Sequence, residues 1–246
     1  MPFSHNSFPL HRAPLRVRRE LVLGVIALAA LAGFVNAVLL SFYRIPVSHM
    51  SGDVSRLGVD LAAHQLADIR LMGGIVAGFL AGAVTSGAII GRDRLVPGRR
   101  HAVVLVLEGC TLLVATLLLS RGDLSGIAVA AAACGLQNAM ASSYYGLVIR
   151  TTHVTGVVTD IGVLIGQYLR YRRVQGWKLL FLGGILVAFF TGGGVGALIM
   201  EHVGVAALAL AGVIALLAGG GYLLIHERNR RRRASATQVP RSSQAA

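Results

Sequence analysis

The sequence predicts an all-α integral membrane protein whose six transmembrane helices form two inverted three-helix repeats. Composition, the placement of basic residues and internal repetition lead to this fold class. Of the 246 residues, 55% are hydrophobic and only 13% are charged, whereas an average soluble domain carries about 25% charged residues. A chain this apolar is neither a soluble domain nor intrinsically disordered, because most of it must leave water.

Six stretches are long and apolar enough to cross a bilayer as helices, which takes about 20 residues each. They are residues 21–43, 69–90, 101–120, 124–148, 178–200 and 203–225. Lipid offers no partner to backbone polar groups, so each span is expected to be helical. Counting the segments after the first and fourth spans as spans would give eight helices but would place the basic cluster Arg92–Arg100 outside the cell.

The basic residues predict the orientation. The chain has 23 Lys and Arg against 10 Asp and Glu, a net charge of +13. Most of the basic residues precede the first span, separate the second from the third and the fourth from the fifth, or follow the sixth. Both termini are therefore expected in the cytoplasm. Topology accounts for the charge, so the expected partner is the lipid bilayer and not nucleic acid.

Three sequence blocks recur in the same order. Ala32–Ala37 matches Cys134–Ala139, His49–Gly58 matches His153–Gly162, and Gly73–Ile75 matches Gly183–Ile185. Each unit holds three spans, so the two units enter the membrane in opposite directions, as in many secondary transporters. This places the first His-containing motif toward the outside and its copy toward the cytoplasm. A cleaved signal peptide at the N-terminus is the competing interpretation, but cleavage would remove half of a repeat.

The repeat divides the chain into four segments. We expect a cytoplasmic basic N-terminus (1–20), a first repeat (21–120), a second repeat (121–226) and a basic disordered cytoplasmic tail (227–246). Small residues recur every four positions in the middle span of each repeat: Gly74, Gly78, Gly82 and Ser86, then Gly184, Ala188, Gly192 and Gly196. Such stripes allow close helix packing, here within the chain or in a homodimer.

The repeated polar residues are the candidates for binding a solute. In each His-x-Ser/Thr-Gly motif, the glycine can break the helix, the hydroxyl can cap the next helix, and the imidazole can titrate near neutral pH. Amides inside apolar helices also need partners. The expected substrate-binding residues are Asn36, His49, Ser51, Gly52, Asp53, Gln137, Asn138, His153, Thr155, Gly156 and Asp160.

The segment after the first motif is strongly polar. Asp53, Arg56, Asp60, His64 and Asp68 fall on one face of a single helix, which predicts a surface helix on the outer leaflet. The copy, residues 157–169, is more apolar, with Asp160 as its acid. The sequence leaves open whether residues 45–68 and 151–169 lie on the surface or re-enter the membrane.

Glu108 is the one carboxylate inside an expected span, which makes it a proton-coupling candidate. At the helix end it could instead reach the interface. The two cysteines match no metal-ligand spacing, and no nucleophile motif or phosphate loop is present, so we expect no metal, no cofactor and no enzyme activity.

These blocks resemble the YoaK-like family of uncharacterised bacterial six-span membrane proteins. The family pattern of Gly-x-x-Asp-Ala followed by Met-Thr-Gly-Asn reads here as Gly33–Ala37 and Met50–Asp53. Asn36 stands where the family tends to have Asp, and Asp53 stands where it tends to have Asn. The second block, with Gln137–Ala139 and Thr151–Gly156, fits more closely. The resemblance implies a bacterial inner-membrane location and no settled activity.

Two functions remain open. The inverted repeat, with polar residues at corresponding depths, favours a transporter or permease for a small solute. The alternative is a non-transporting scaffold or partner-binding subunit, for which the glycine stripes and basic tail would matter and the histidines would not. An intramembrane enzyme would need a facing nucleophile and base, which the sequence does not indicate.

Overall fold

The computed structural model describes residues 15–91, 98–142, 151–172 and 176–237, and in these ranges the chain is helical without strands. The helices are α1 (Leu15–Tyr43), α2 (Met50–Ala62), α3 (Leu66–Ile90), α4 (Arg99–Ser120), α5 (Ser125–Ala141), α6 (Val154–Tyr171), α7 (Gly176–Val203) and α8 (Ala207–Thr237), with a 3-10 turn over Gly204–Ala206. The all-α prediction is confirmed.

Four helical stretches are long and apolar enough to cross a membrane: Arg19–Tyr43, Leu66–Ile90, Arg99–Ser120 and Gly176–Arg228. The last of these combines α7, the 3-10 turn and most of α8. The expected span over residues 124–148 appears as the shorter apolar helix α5, and residues 143–150 lie outside the described ranges. By length and composition, the protein is a multi-pass helical membrane protein.

Two helix boundaries differ from the sequence expectation. α8 continues to Thr237, so the described part of the tail expected to be disordered is helical; residues 238–246 lie outside the described ranges. α1 begins at Leu15, within the segment assigned to the basic N-terminus. Both helices thus run past the apolar residues into basic sequence.

The helices pack in matched pairs. α1 packs on α7 as α5 packs on α3, and α2 packs on α3 as α6 packs on α7, while α4 packs on α8. When α1 to α4 are set against α5 to α8 in order, these pairings correspond, whereas the extensive contact of α4 with α5 has only a slight counterpart between α8 and α1. Two buried apolar clusters hold this arrangement together, one of them built around Val38, Met72 and Leu208.

The glycine stripes allow the paired helices to approach each other closely. Gly78 and Gly82 of α3 lie against the backbone of Ala128 and Ala132 of α5, and Gly192 of α7 lies against the backbone of Ala30 of α1. The stripes therefore pack helices against one another within the chain. Backbone approach of this kind needs glycine, because a Cβ would occupy the position of the neighbouring carbonyl.

The prediction of a single polar surface helix over residues 53–68 is wrong. α2 ends at Ala62, His64 adopts a positive φ of 55°, and Asp68 belongs to the next helix, α3. Asp53 and Asp60 are buried, because Met50 and Leu57 on the same face pack into the core. The exposed side chains of α2 include Val54, Val59 and Leu61 together with the polar Ser55 and Arg56.

Candidate functional site

A cavity of about 1060 Å³ lies where the two halves of the chain meet. Its lining includes six pairs of equivalent residues from the two repeats: Asn36 and Asn138, Ser48 and Thr152, His49 and His153, Met50 and Val154, Ser51 and Thr155, and Phe79 and Phe189. The two His-containing motifs, expected toward opposite sides of the membrane, border the same cavity.

Asn36 anchors the loop that leads into the first motif. Its Oδ1 accepts a hydrogen bond from the Ser48 hydroxyl at 2.8 Å and one from the Ser48 backbone N–H at 3.4 Å. Ile45, Val47 and Ser48 of this loop are buried between α1 and α2. A buried loop needs partners for its backbone groups, and the Asn36 side chain supplies one.

Asn138 does the same in the second half. Its Nδ2 donates to Thr152 Oγ1 at 2.7 Å and to the Cys134 carbonyl at 3.2 Å, and its Oδ1 accepts from the Thr152 backbone N–H at 3.3 Å. In both halves, an asparagine on a long helix holds the hydroxyl residue that precedes the cavity histidine. The amides therefore fix the cavity wall as well as lining it.

The glycine of each motif makes room for the imidazole. A Cβ on Gly52 would lie 2.5 Å from His49 Nδ1, and one on Gly156 would collide with His153 Nδ1 in the same way. Both glycines lie in the first turn of a helix and neither has a positive φ. The expectation that they break the helix is therefore wrong; the ring packs over the missing side chain.

The expected capping role of the hydroxyls is also wrong. His49 and His153 themselves occupy the N-cap positions of α2 and α6, and neither helix has a side-chain capping bond. Ser51 Oγ instead lies 3.4 Å from His49 Nε2. Ser51 and Thr155 therefore present their hydroxyls beside the imidazoles on the cavity wall.

The cavity wall carries no charged side chain among its described lining residues. Its polar groups are amides, hydroxyls, imidazoles and the first turns of α2 and α6, whose backbone N–H groups lack helical acceptors. The positive ends of the two helix dipoles point to this region. Phe79, Phe189, Leu40 and Ile90 form the apolar part. Such a wall suits a small solute that accepts hydrogen bonds.

Several expected binding residues do not line the cavity. Gly52 and Gly156 lie beneath the imidazoles, and Asp160 is exposed on α6. Gln137 is buried and donates to the Leu28 carbonyl of α1 at 2.5 Å and to Thr151 Oγ1 at 3.3 Å. Its role is to tie α5 to α1, since both donor positions of the amide point into the protein.

Asp53 lies behind His49 and outside the cavity lining. It is 3% exposed, and its Oδ2 has no hydrogen-bond partner among the described residues. Burial raises the pKa of Asp53 to about 6, although His49 and Arg56 act in the opposite direction. The first motif therefore contains a buried carboxyl group that favours its protonated form more than an exposed aspartate does.

Glu108 lies in the middle of α4 and is only 1% exposed. Its Oε2 lacks a hydrogen-bond partner in the described part of the chain. The alternative in which this carboxylate reaches the interface is wrong, because α4 extends well beyond it on both sides. Glu108 does not line the cavity. Within the described ranges, no group of three or more His, Cys, Asp or Glu side chains comes together.

Sequence reasoning missed three of the pairs in the cavity wall, namely Ser48 and Thr152, Met50 and Val154, and Phe79 and Phe189. Ser48 and Thr152 each precede the motif histidine, so a hydroxyl at the same place in both copies was the available signal. Phe79 and Phe189 occupy matching positions in the two middle spans, and their carbonyls lie against Gly135 and Gly33. The Ser48/Thr152 and Phe79/Phe189 matches are part of the repeat, but they lie outside the two His-x-Ser/Thr-Gly motifs.

Comparison with known proteins defines the family. No curated protein and no solved structure matches the chain. The model of one family, described as a protein of unknown function (DUF1275), matches residues 24–220, which include all eight helices at least in part. This agrees with the resemblance to YoaK-like proteins carried by the two motif blocks. The chain belongs to the DUF1275 family of proteins of unknown function.

Proposed function

We propose that the protein is a transporter that moves a small polar solute through the cavity between its two repeats. The observation that carries this proposal is that equivalent side chains of both halves border one cavity. A scaffold would have no need to place paired imidazoles, amides and hydroxyls around a space of this volume. Ligand cavities commonly measure about 300–1,000 Å³, so this one is large enough for a metabolite.

The proposed architecture is six spans in two inverted halves. The stretch Gly176–Arg228 has 53 residues and would be about 80 Å long as one helix, far more than the roughly 30 Å of a bilayer core. It therefore accounts for two spans that meet at the 3-10 turn. α5, an apolar helix of 17 residues, is proposed as the remaining span although it is shorter than the others. The matched helix contacts support the inverted arrangement.

The proposed setting is the bacterial inner membrane with both termini in the cytoplasm. The described basic residues after Ile225 support this orientation, since Arg228 and Arg230 follow the last apolar turn of α8. Reporter fusions after Thr237 and within the connection between α4 and α5 would check it. We expect a reporter active only in the periplasm to function in the α4–α5 connection alone.

The proposed solute is small, polar and a hydrogen-bond acceptor. Two helix N-termini favour negative charge, and no carboxylate on the described wall would repel it. Asn36, Asn138, Ser51 and Thr155 supply neutral partners, and Phe79 and Phe189 can hold the apolar side of the solute.

The test begins with the purified full chain and a set of small organic acids, inorganic anions, sugars and amino acids. Compounds that raise the thermal unfolding temperature would then be measured as radiolabelled solutes in proteoliposomes. We expect His49→Ala and His153→Ala to weaken binding and uptake at least tenfold. His64→Ala is the control, because His64 is exposed in the α2–α3 connection and away from the cavity.

The same experiment distinguishes a transporter from a scaffold. If no compound binds, and if both cavity variants behave as His64→Ala does in cells, the transporter proposal is wrong. Loss of function confined to glycine-stripe variants would then favour a scaffold. Glu108 is the proton-coupling candidate of the sequence analysis, and Glu108→Gln is predicted to change the pH dependence of uptake without changing solute selectivity.

A further inference from the structure

The two short helices beside the cavity use the same face for burial but carry different chemistry on it. The inward face of α6 has Val157 and Leu164 at its two buried positions. The repeat aligns these positions with Asp53 and Asp60, the two buried positions of α2. Two aliphatic side chains in the second half are thus replaced by two carboxyl groups in the first half.

Asp53 lies one helical turn from the cavity-lining His49. Its backbone N–H donates to the His49 carbonyl at 3.1 Å, so both residues belong to one turn at the start of α2. The His49 imidazole lines the cavity, and Asp53 is buried behind it. An unpartnered carboxylate in such a place is costly, and binding a proton removes that cost.

Few other ionisable groups face Asp53. On α2 these are His49 and Arg56, and Arg56 also pairs with Asp60 at 3.8 Å. α3, the helix packed on α2, carries Asp68 and Arg70 in its first turns, next to the far end of α2. That end is about 13 Å from Asp53 along the helix axis. Arg56 is half exposed and shared with Asp60, so it does not neutralise Asp53 fully.

We infer that Asp53 is the proton-binding site of the transporter, that His49 connects it to the cavity, and that the second repeat has no equivalent. This inference rests on the proposed function. In the loading step, a hydronium ion that reaches the cavity gives a proton to the His49 imidazole and becomes water, and the imidazolium passes a proton to the Asp53 carboxylate. The net change is one proton moved from hydronium to Asp53, which leaves one water molecule in the cavity and no charge on either side chain.

The asymmetry has a functional consequence. Val157 stands where Asp53 stands in the first repeat, so protonation alters one half of the cavity wall and leaves the other unchanged. The first repeat's motif would therefore bind an anionic solute together with a proton, whereas the second would bind the solute alone. Burial raises the pKa of Asp53 to about 6, so a change of pH around this value would shift the exchange.

The test is infrared spectroscopy of the purified full chain in liposomes between pH 4.5 and pH 8. The carbonyl stretch of a protonated carboxyl group should disappear as pH rises, with a midpoint of about 6. Asp53→Asn should abolish this transition, and Asp160→Asn, which changes the exposed acid of the second motif, should leave it intact. Glu108→Gln separates any contribution from the carboxyl of α4.

Further variants keep the test decisive. Asp53→Val introduces the residue that the second repeat already holds at the same buried position, so folding is expected to survive if Asp53→Asn disturbs it. His49→Ala should slow deuterium exchange of the Asp53 carboxyl at least fivefold, whereas His153→Ala should not. A transition that persists in both Asp53 variants overturns the inference, as does displacement of the proton by Na⁺ at fixed pH.

Failure here is distinguishable from failure of the proposed function. The infrared transition requires no solute, so its absence rejects Asp53 as the proton site even if uptake is observed. If Asp53 titrates as expected but uptake by wild type and Asp53→Asn shows the same response to a pH gradient, the coupling role is rejected while the transporter proposal stands.

Discussion

Asn36 and Asn138 hold the two halves of the cavity wall by hydrogen bonds to equivalent residues, Ser48 and Thr152. The Asn36 Oδ1 accepts from Ser48 Oγ at 2.8 Å, and the Asn138 Nδ2 donates to Thr152 Oγ1 at 2.7 Å. In each half, the bonded hydroxyl residue directly precedes the cavity histidine. The position of each imidazole thus depends on an amide one helix away.

Replacing either asparagine should destabilise the protein. Asn138→Ala leaves the half-buried Thr152 backbone N–H without its acceptor. Because an unsatisfied buried group costs about 1–3 kcal/mol, we expect a loss toward the lower end of that range. We expect a lower unfolding temperature and weaker solute binding for Asn36→Ala and Asn138→Ala. Gln65→Ala is the control, since Gln65 is exposed and makes no side-chain capping bond. Equal effects of all three variants would contradict the role of the amides.

The motif glycines offer a test that separates the site from stability. Alanine at Gly52 or Gly156 would occupy the space of the imidazole ring, so the ring must turn away and solute binding should fall at least tenfold. Helix stability should not fall, because alanine is favoured over glycine inside a helix by about 1 kcal/mol. Binding and thermal unfolding of the same samples provide the measurement.

Gly58 and Gly162 serve as matched controls for that test. They end the same two repeated motifs, and a Cβ at either position would meet open space. Alanine there should leave solute binding unchanged and stability unchanged or slightly higher. If these variants lose binding as strongly as the first pair, the imidazole position is not what the motif glycines control.

The same positions show what could be predicted from the sequence. The pattern of the repeat identified Asn36 and His49 together with Asn138 and His153, because duplication places equivalent residues in equivalent surroundings. It assigned the wrong reason to Gly52, since a glycine needed for ring packing and one needed for a turn look identical in a sequence. Only the packing of the imidazole distinguishes them.

The sequence also could not predict which way the face of α2 that carries Asp53 and Asp60 points. The spacing of Asp53 and Asp60 defined one face of a helix, and polarity suggested that this face meets water. Met50 and Leu57 lie on the same face and pack into the core, which buries the two acids with them. Periodicity shows which residues share a face, but tertiary contacts decide which way that face points.

The glycine stripes predict a stability effect that is equal in the two halves. Gly82 lies against the backbone of Ala132, and Gly192 lies against the backbone of Ala30. Alanine at either position must separate two helices, which should cost roughly 1–3 kcal/mol as overpacking does in a close-packed core. Reversible unfolding in mixed micelles would measure this cost.

Gly73 and Gly183 are the controls for the stripes. They occupy matching positions on α3 and α7, one residue before each stripe, and face open space. Gly73→Ala and Gly183→Ala should change the unfolding free energy little. A large loss in these variants, or none in Gly82→Ala and Gly192→Ala, would show that the close backbone contacts do not hold the repeats together.

The stability of the wild-type protein should depend on pH through Asp53. Burial raises the pKa of this carboxyl from 3.8 to about 6 in the folded state, so the folded protein binds the proton more tightly than the unfolded chain does. Ionised Asp53 therefore destabilises the fold above about pH 6, and this penalty is relieved as the pH falls toward 3.8. Asp53→Asn removes the ionisation, so the variant should gain stability relative to wild type at pH 7.5 and lose that advantage at pH 4.5. Thermal unfolding at both pH values measures the difference, and Asp160→Asn controls for a change in surface charge. An advantage of Asp53→Asn that is the same at both pH values would show that the buried carboxyl is already protonated, or that it does not titrate in this range.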